Sequence, residues 1–210
     1  MTLSDLLRAL NLLRGPRRAS RGVRLPRLIL MTDPTRTPDP LAAAADLPRG
    51  SAVILRHYGE AGRDDLARAL VRFGRPRGIR ILIAGDVKLA LRVGADGVHL
   101  PEHMARCAAS AWTPYRRRDW IVTAAAHSWE AVLRAQAVDA ILLSPVFQTA
   151  SHPKAHPLGV IAFARMAGRS AVPIYALGGV TPPRAKRLAG SRAAGLAGIS
   201  GFAAPRTTET

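Results

Sequence analysis

From Leu28 onward, short and nearly continuous apolar runs alternate with stretches whose apolar residues recur at helical spacing. The runs are LILM (28–31), AVIL (52–55), ILIA (81–84), GVHL (97–100), WIVTA (120–124), AILLS (140–144), PIYAL (173–177) and GLAGIS (195–200). Amphipathic helices are predicted between them, at 64–73, 87–93, 129–137 and 182–189. Repeated βα units predict a parallel sheet, and eight of them predict an α/β fold closed into a (β/α)8 TIM barrel rather than an open doubly wound sheet.

Residues 1–27 stand apart from this rhythm. Leu3, Leu6, Leu7, Leu10 and Leu13 follow helical spacing behind Ser4, a candidate cap, and GPRRASRGVRLPR reads as a basic linker. An Arg-rich amphipathic start also fits an organelle transit peptide, but the favoured reading is an added helix packed on the domain. The expected organisation is thus a helix and linker over 1–27 and a single barrel domain over 28–210. Only GFAAPRTTET follows the eighth run, so the last helix is expected to be truncated or missing, with the N-terminal helix filling its place in the outer ring.

A chain of 210 residues can bury one sizeable core. At 48% hydrophobic residues, none of its apolar runs approaches the roughly 18 residues of a membrane span. No secretory pattern opens the chain, and its single cysteine, Cys107, fits a reducing compartment, so a soluble cytoplasmic protein is expected. Cys107 itself is expected to be buried, and Trp112, Trp120 and Trp129 to be packing residues.

Charge changes this picture most. The 31 basic residues exceed the 14 acidic ones, for a net charge of +17. Lysine occurs only at 88, 154 and 186, so the excess is arginine. Nucleic acid is disfavoured as a partner because aromatics are 5% of the chain and no reading helix is apparent. A basic mouth for phosphorylated small-molecule substrates accounts for the same charge. No membrane partner is expected, and a homo-oligomer stays open.

In a barrel of this kind the chemistry sits where strands exit into the following loops. All six histidines obey that placement: His57 after the second run, His99 and His103 after the fourth, His127 after the fifth, and His152 and His156 after the sixth. Near the C-terminus, YALGGVTPPRAK reads as a strand, a Gly178-Gly179 turn and a helix start, a pattern suited to an anion. The eighth run adds Ser200 and Gly201, and barrels often hold phosphate between the loops after strands seven and eight.

The segments LILMTD, GADGVHL, AHSWEA, LLSPVFQTASHPKAHPLG and IYALGGVTP, in this order and spacing, resemble the thiamine-phosphate synthase family and its thiazole tautomerase (TenI-like) branch. The resemblance runs from about Leu28 to Phe202. It implies coupling of hydroxymethyl-aminopyrimidine diphosphate to thiazole phosphate, a transferase reaction in which magnesium neutralises the leaving diphosphate. The retained family positions are Arg56 for the diphosphate, His99 near the pyrimidine pocket, Thr149 in the sixth loop, and Gly178, Gly179 and Ser200 for the thiazole phosphate.

Other positions depart from the pattern. The family's Asn-Asp after the third strand is Ala84-Gly85, and its second metal aspartate is Met104. The glutamine before Arg56 is Ile54, the lysine after it is Tyr58, a serine is Ala125 and the loop lysine is His152. Both usual metal carboxylates are therefore absent, leaving Asp86 and Glu102 as weak magnesium candidates. Loss of metal and lysines predicts coupling that is weakened or lost. The residues after strands three and four look more like the tautomerase branch, which needs no metal, yet Pro145 replaces that branch's histidine. Proton transfer would then fall to His127, His99 or His152. The expectations are a divergent synthase, an isomerase, or a non-catalytic binder of thiazole phosphate or thiamine phosphate.

Overall fold

A computed structural model describes residues 3–106, 113–149 and 156–199. Eight parallel strands close into a barrel in sequence order: β1 (Leu28–Met31), β2 (Ala52–Leu55), β3 (Arg80–Ala84), β4 (Gly97–Leu100), β5 (Ile121–Ala126), β6 (Ala140–Leu143), β7 (Ile174–Ala176) and β8 (Gly195–Gly198). Pairing of β1 with β8 completes the ring. The helices are α1 (Leu3–Asn11), α2 (Pro40–Ala45), α3 (Arg63–Arg77), α4 (Val87–Val93), α5 (Glu102–Arg106), α6 (Trp129–Arg134), α7 (Gly159–Arg169) and α8 (Pro182–Lys186), with a 3₁₀ turn at Thr113–Tyr115. Any helix after β8 lies outside the described residues.

Strand alternation divides the apolar residues into two cores. Ile29, Met31, Ile54, Leu82, Leu142 and Tyr175 share the barrel interior. Leu30, Val53, Ile83, Val122, Ile141 and Leu196 face the helices in a second, larger core. That division explains why the runs are almost uniformly apolar: both sides of each strand are covered. Trp120 is buried just before β5 and Trp129 packs partly buried on the outer core, as their packing role requires. Cys107 and Trp112 lie outside the described residues.

Element boundaries shift modestly from the apolar pattern. Helix α3 continues past Phe73 through Pro76 and ends at Gly78, whose φ of 65° provides the left-handed cap. Proline is tolerated there because it sits in the last turn, where one lost hydrogen bond does not break the helix. Helices α6 and α8 are instead shorter than their apolar periodicity, ending at Arg134 and Lys186.

Helix α1 is part of this packing. Leu6, Ala9, Leu10 and Leu13 are buried in the outer core, and α1 lies against α8. Its end is tied to the segment before β8, where the Arg14 and Gly15 N–H groups donate to Ser191 O at 2.8 Å and Ala193 O at 3.1 Å. The Arg27 guanidinium donates to the carbonyls of Leu10 and Ala194, joining the helix end, the start of β1 and the start of β8. The linker then folds beneath the barrel, where Ala19 and Leu25 extend the interior core.

Leu6 is fully buried, so Leu6→Ala is expected to lower the unfolding free energy by about 2–5 kcal/mol. Urea denaturation followed by circular dichroism measures this. A loss below about 1 kcal/mol would show that α1 does not belong to the cooperative core.

Candidate functional site

The inward positions at the strand exits converge on a cavity of about 720 Å³. Arg56 lies two residues beyond the interior residue Ile54, so strand alternation turns it toward this space. Its N–H donates to Thr32 Oγ1 at 3.1 Å, and its guanidinium lies 3.5 Å from Asp33 Oδ2. Thr32 Oγ1 also meets the Nδ1 of buried His57 at 2.9 Å. Thr32 and His57 thus position the β2 exit, and burial lowers the His57 pKa.

His99 stands on the neighbouring side of the barrel. It pairs in register with Thr123, and their side chains meet through Nδ1 and Oγ1 at 2.9 Å. The two strands can approach because position 97 is glycine: a Cβ there would lie 1.9 Å from Ile121 O. His99 is 3% exposed. Burial above all, then repulsion from Arg56 and His127, lowers its pKa to about 3. At neutral pH it is an uncharged hydrogen-bonding group.

His127 differs in every respect. It is exposed at the cavity edge, its Nδ1 lies 2.8 Å from Glu102 Oε2, and its N–H donates to the same oxygen at 3.0 Å. A carboxylate held on Nδ1 fixes the imidazole and directs Nε2 chemistry outward, an arrangement suited to taking and returning a proton.

Across the cavity, Gly178 and Gly179 have φ values of 90° and 63°. A Cβ on Gly178 would lie 2.8 Å from Pro145 Cα, and one on Gly179 would lie 2.4 Å from Gln148 O. The glycines therefore let the β6 and β7 loops close on each other as well as opening backbone to a ligand. Arg184 secures this wall by donating to Gln148 O at 2.9 Å and Gly179 O at 3.1 Å. The helix-start expectation needs correction, because Pro182 and Pro183 open α8 and lack the N–H groups with which a helix end grips an anion. Positive charge comes from Arg184 instead.

The family described as thiamine monophosphate synthase matches residues 28–202. The chain belongs to that family. A protein named "Putative thiamine-phosphate synthase 2" from Aquifex aeolicus is 39% identical over 125 residues, covering 58% of this chain and 65% of its own length. The chain thus spans just under two thirds of that relative. A thiamine-phosphate synthase from Chlorobium luteolum is 31% identical over 182 residues, covering 83% of this chain and 84% of its own. Among solved structures, the thiamine phosphate pyrophosphorylase from Pyrococcus furiosus superposes with a TM-score of 0.67 at 22% identity, covering 83% of this chain and 85% of that one, which shows the shared fold.

Within this thiamine monophosphate synthase fold, Arg56, His99, His127, Thr149, Gly178 and Gly179 all line the one cavity. Ser200, Gly201 and His152 lie outside the described residues. The six histidines do not gather as the sequence suggests: His103 and His156 are exposed away from the lining, and His57 acts through Thr32. Arg184, Arg36 and the Glu102–His127 pairing were missed by sequence reasoning. A cation three residues beyond Thr181 was the available signal for Arg184.

The residues present do not fit the family's magnesium. Asp86 Oδ1 accepts from Leu89 N–H as the cap of α4, and its other oxygen lies 3.8 Å from Arg63 Nη1. Glu102 is held by His127. A Cβ on Gly85 would lie 3.0 Å from the Tyr58 ring, and Arg63 Nη2 donates to Ala84 O at 2.6 Å, so an aromatic ring and a guanidinium fill the β3 exit. Met104 packs against the outer core. Among the described residues no group of three or more His, Cys, Asp or Glu is placed to hold a metal ion.

His99 also sets a pH dependence. The folded protein keeps it neutral down to about pH 3, while the unfolded chain protonates near 6.5. Unfolded chains therefore bind more protons in that window, so stability is lost as the pH is lowered from about 6.5 toward 3, by up to about 1.4 kcal/mol per unit. Comparing unfolding free energies at pH 7 and 5, His99→Gln should show the shallower slope. Equal slopes would contradict a buried neutral imidazole.

Proposed function

We infer that this is a thiamine-biosynthesis protein whose barrel mouth takes the phosphorylated thiazole, with its phosphate against the Gly178-Gly179 turn and Arg184. The single observation carrying this reading is the convergence of that turn, Arg184 and Arg56 on one cavity in a chain of this family. Ser200 and Gly201 complete the phosphate end by family position. Arg56 and Arg36 face the side where a diphosphate would lie, with Thr149 contributing a hydroxyl from the β6 loop.

The coupling half of the site is altered. In the family reaction the diphosphate leaves as positive charge develops on the pyrimidine methylene, so the leaving group needs strong neutralisation. Here guanidinium groups stand without metal carboxylates. Loss of several charge-assisted contacts, each worth about 1.5–3 kcal/mol, weakens or abolishes coupling.

The Glu102–His127 pair favours a second reading, a thiazole tautomerase. His127 Nε2 would remove a proton from one ring position and return it to another, with no change in atoms or charge. His99, uncharged and hydrogen-bonded to Thr123, would orient the ring beside it. The non-catalytic binder keeps the phosphate contacts alone.

With both phosphorylated substrates and magnesium present, thiamine phosphate formation is expected at least about 100-fold below that of a family member with both metal carboxylates. Formation at the same rate would overturn the weakened-coupling reading. In deuterated water, NMR should show exchange into the thiazole phosphate tautomer, slowed about 10²–10⁴-fold by His127→Ala. Exchange indifferent to this change removes the isomerase reading and leaves the binder. Arg184→Ala should weaken thiazole phosphate binding about 10-fold or more by calorimetry. Unchanged affinity would displace the phosphate from the β7 wall.

A further inference from the structure

A second cavity of about 660 Å³ lies at the opposite end of the barrel, where the strands begin. Arg17, Arg24, Arg27, Arg49 and Arg80 line it, and among the described residues no carboxylate does. Leucines from α1 and the linker, including Leu7, Leu10 and Leu25, form an apolar wall beside them.

The arrangement is built from ordered local contacts. Linker residues 17–25 form a tight turn in which Leu25 N–H donates to Arg17 O and Ala19 N–H donates to Val23 O, both at 2.9 Å. Arg18 and Arg24 form an antiparallel bridge within it. On the facing side, Gly50 N–H donates to Gly78 O at 2.9 Å. The Arg49 side chain lies across Gly78, where a Cβ would be 3.0 Å from its guanidinium carbon. Arg80 shares the inward parity of Leu82 and points beneath the barrel.

Elsewhere, arginines near the core meet acids: Arg116 pairs with Asp139, Arg63 with Asp86 and Arg56 with Asp33. Among the described residues, Arg17, Arg24, Arg49 and Arg80 form no ion pair with Asp or Glu. Arg27 is committed to backbone carbonyls, and burial followed by repulsion from Arg17 lowers its pKa. Arg17, Arg24 and Arg49 are exposed around the cavity, and an anion with several oxygens accepts paired N–H groups from guanidiniums placed in this way.

We propose that this basal cavity is a second anion site, separate from the mouth, that binds a phosphorylated organic molecule of nucleotide size through Arg17, Arg24, Arg49 and Arg80. Its volume falls in the range of about 300–1,000 Å³ for small-ligand sites. The polyphosphate faces the arginines, and the organic portion rests on the leucine wall. This assignment is independent of the chemistry at the mouth.

Calorimetry of the full chain with ATP and with inorganic tripolyphosphate tests it. Both should bind, with ATP tighter because it also reaches the leucines. Arg49→Ala with Arg80→Ala should weaken ATP binding about 10-fold or more, whereas Arg56→Ala with Arg184→Ala should leave it within about 2-fold. Binding that follows the mouth pair, or none below about 1 mM ATP, overturns the proposal. So does a single-stranded RNA whose affinity rises with length and exceeds that of ATP, which would make this face a nucleic-acid surface. Should the basal variant fail to fold, phenylglyoxal labelling of the unaltered protein decides. ATP should protect Arg17, Arg24, Arg49 and Arg80 in peptide mass spectra, and unprotected labelling overturns the site.

Discussion

Closure of eight parallel strands with strict side-chain alternation is the constraint on which the rest depends. Each strand sends every second residue into a common interior, and the ring leaves no edge. Along β2 and its exit, Ile54 fills the interior and Arg56 reaches the mouth. The same step places His99 above Gly97 and opposite Thr123. A one-residue slip in either strand would turn those groups outward into the helices and dismantle the cavity.

Charge then determines what the cavity can hold. Carboxylates at the β3 and β4 exits would make a cation site. With Gly85 under the Tyr58 ring, Asp86 capping α4 and Glu102 holding His127, the acidic groups are already engaged. Guanidiniums supply the remaining positive field at Arg36, Arg56 and Arg184. That balance suits an anion more than a metal, with the paired glycines and Arg184 on one side of the cavity and Arg56 and Arg36 also lining it. The two histidine environments at the cavity diverge for the same reason. Burial makes His99 a neutral hydrogen-bonding group, whereas His127 is exposed and held by a carboxylate.

Much of the fold was legible because burial on both strand faces writes itself as uniform apolar runs. All eight strands appear within a few residues of those runs. The docking of α1 was readable from its leucine spacing, since an amphipathic helix needs a partner surface. The site was legible only where a residue's place relative to a strand fixes its direction, as for Arg56, His99 and the Gly178-Gly179 pair. Pairings across loops were not. Nothing local connects Glu102 with His127, Arg184 with Gln148 O, or Tyr58 with Gly85; barrel closure brings them together. Six histidines at strand exits looked like one cluster, but alternation and loop direction leave only His99 and His127 at the cavity among the described residues.

The central claim is that the mouth holds thiazole phosphate against the Gly178-Gly179 turn and Arg184 without help from a metal. Calorimetric titration of hydroxyethyl-methylthiazole phosphate, carried out in EDTA and again in millimolar magnesium, tests it most directly. The account predicts saturable one-to-one binding with the same dissociation constant, within about 2-fold, in both conditions. Binding that appears only with magnesium, or no binding in either, would contradict it.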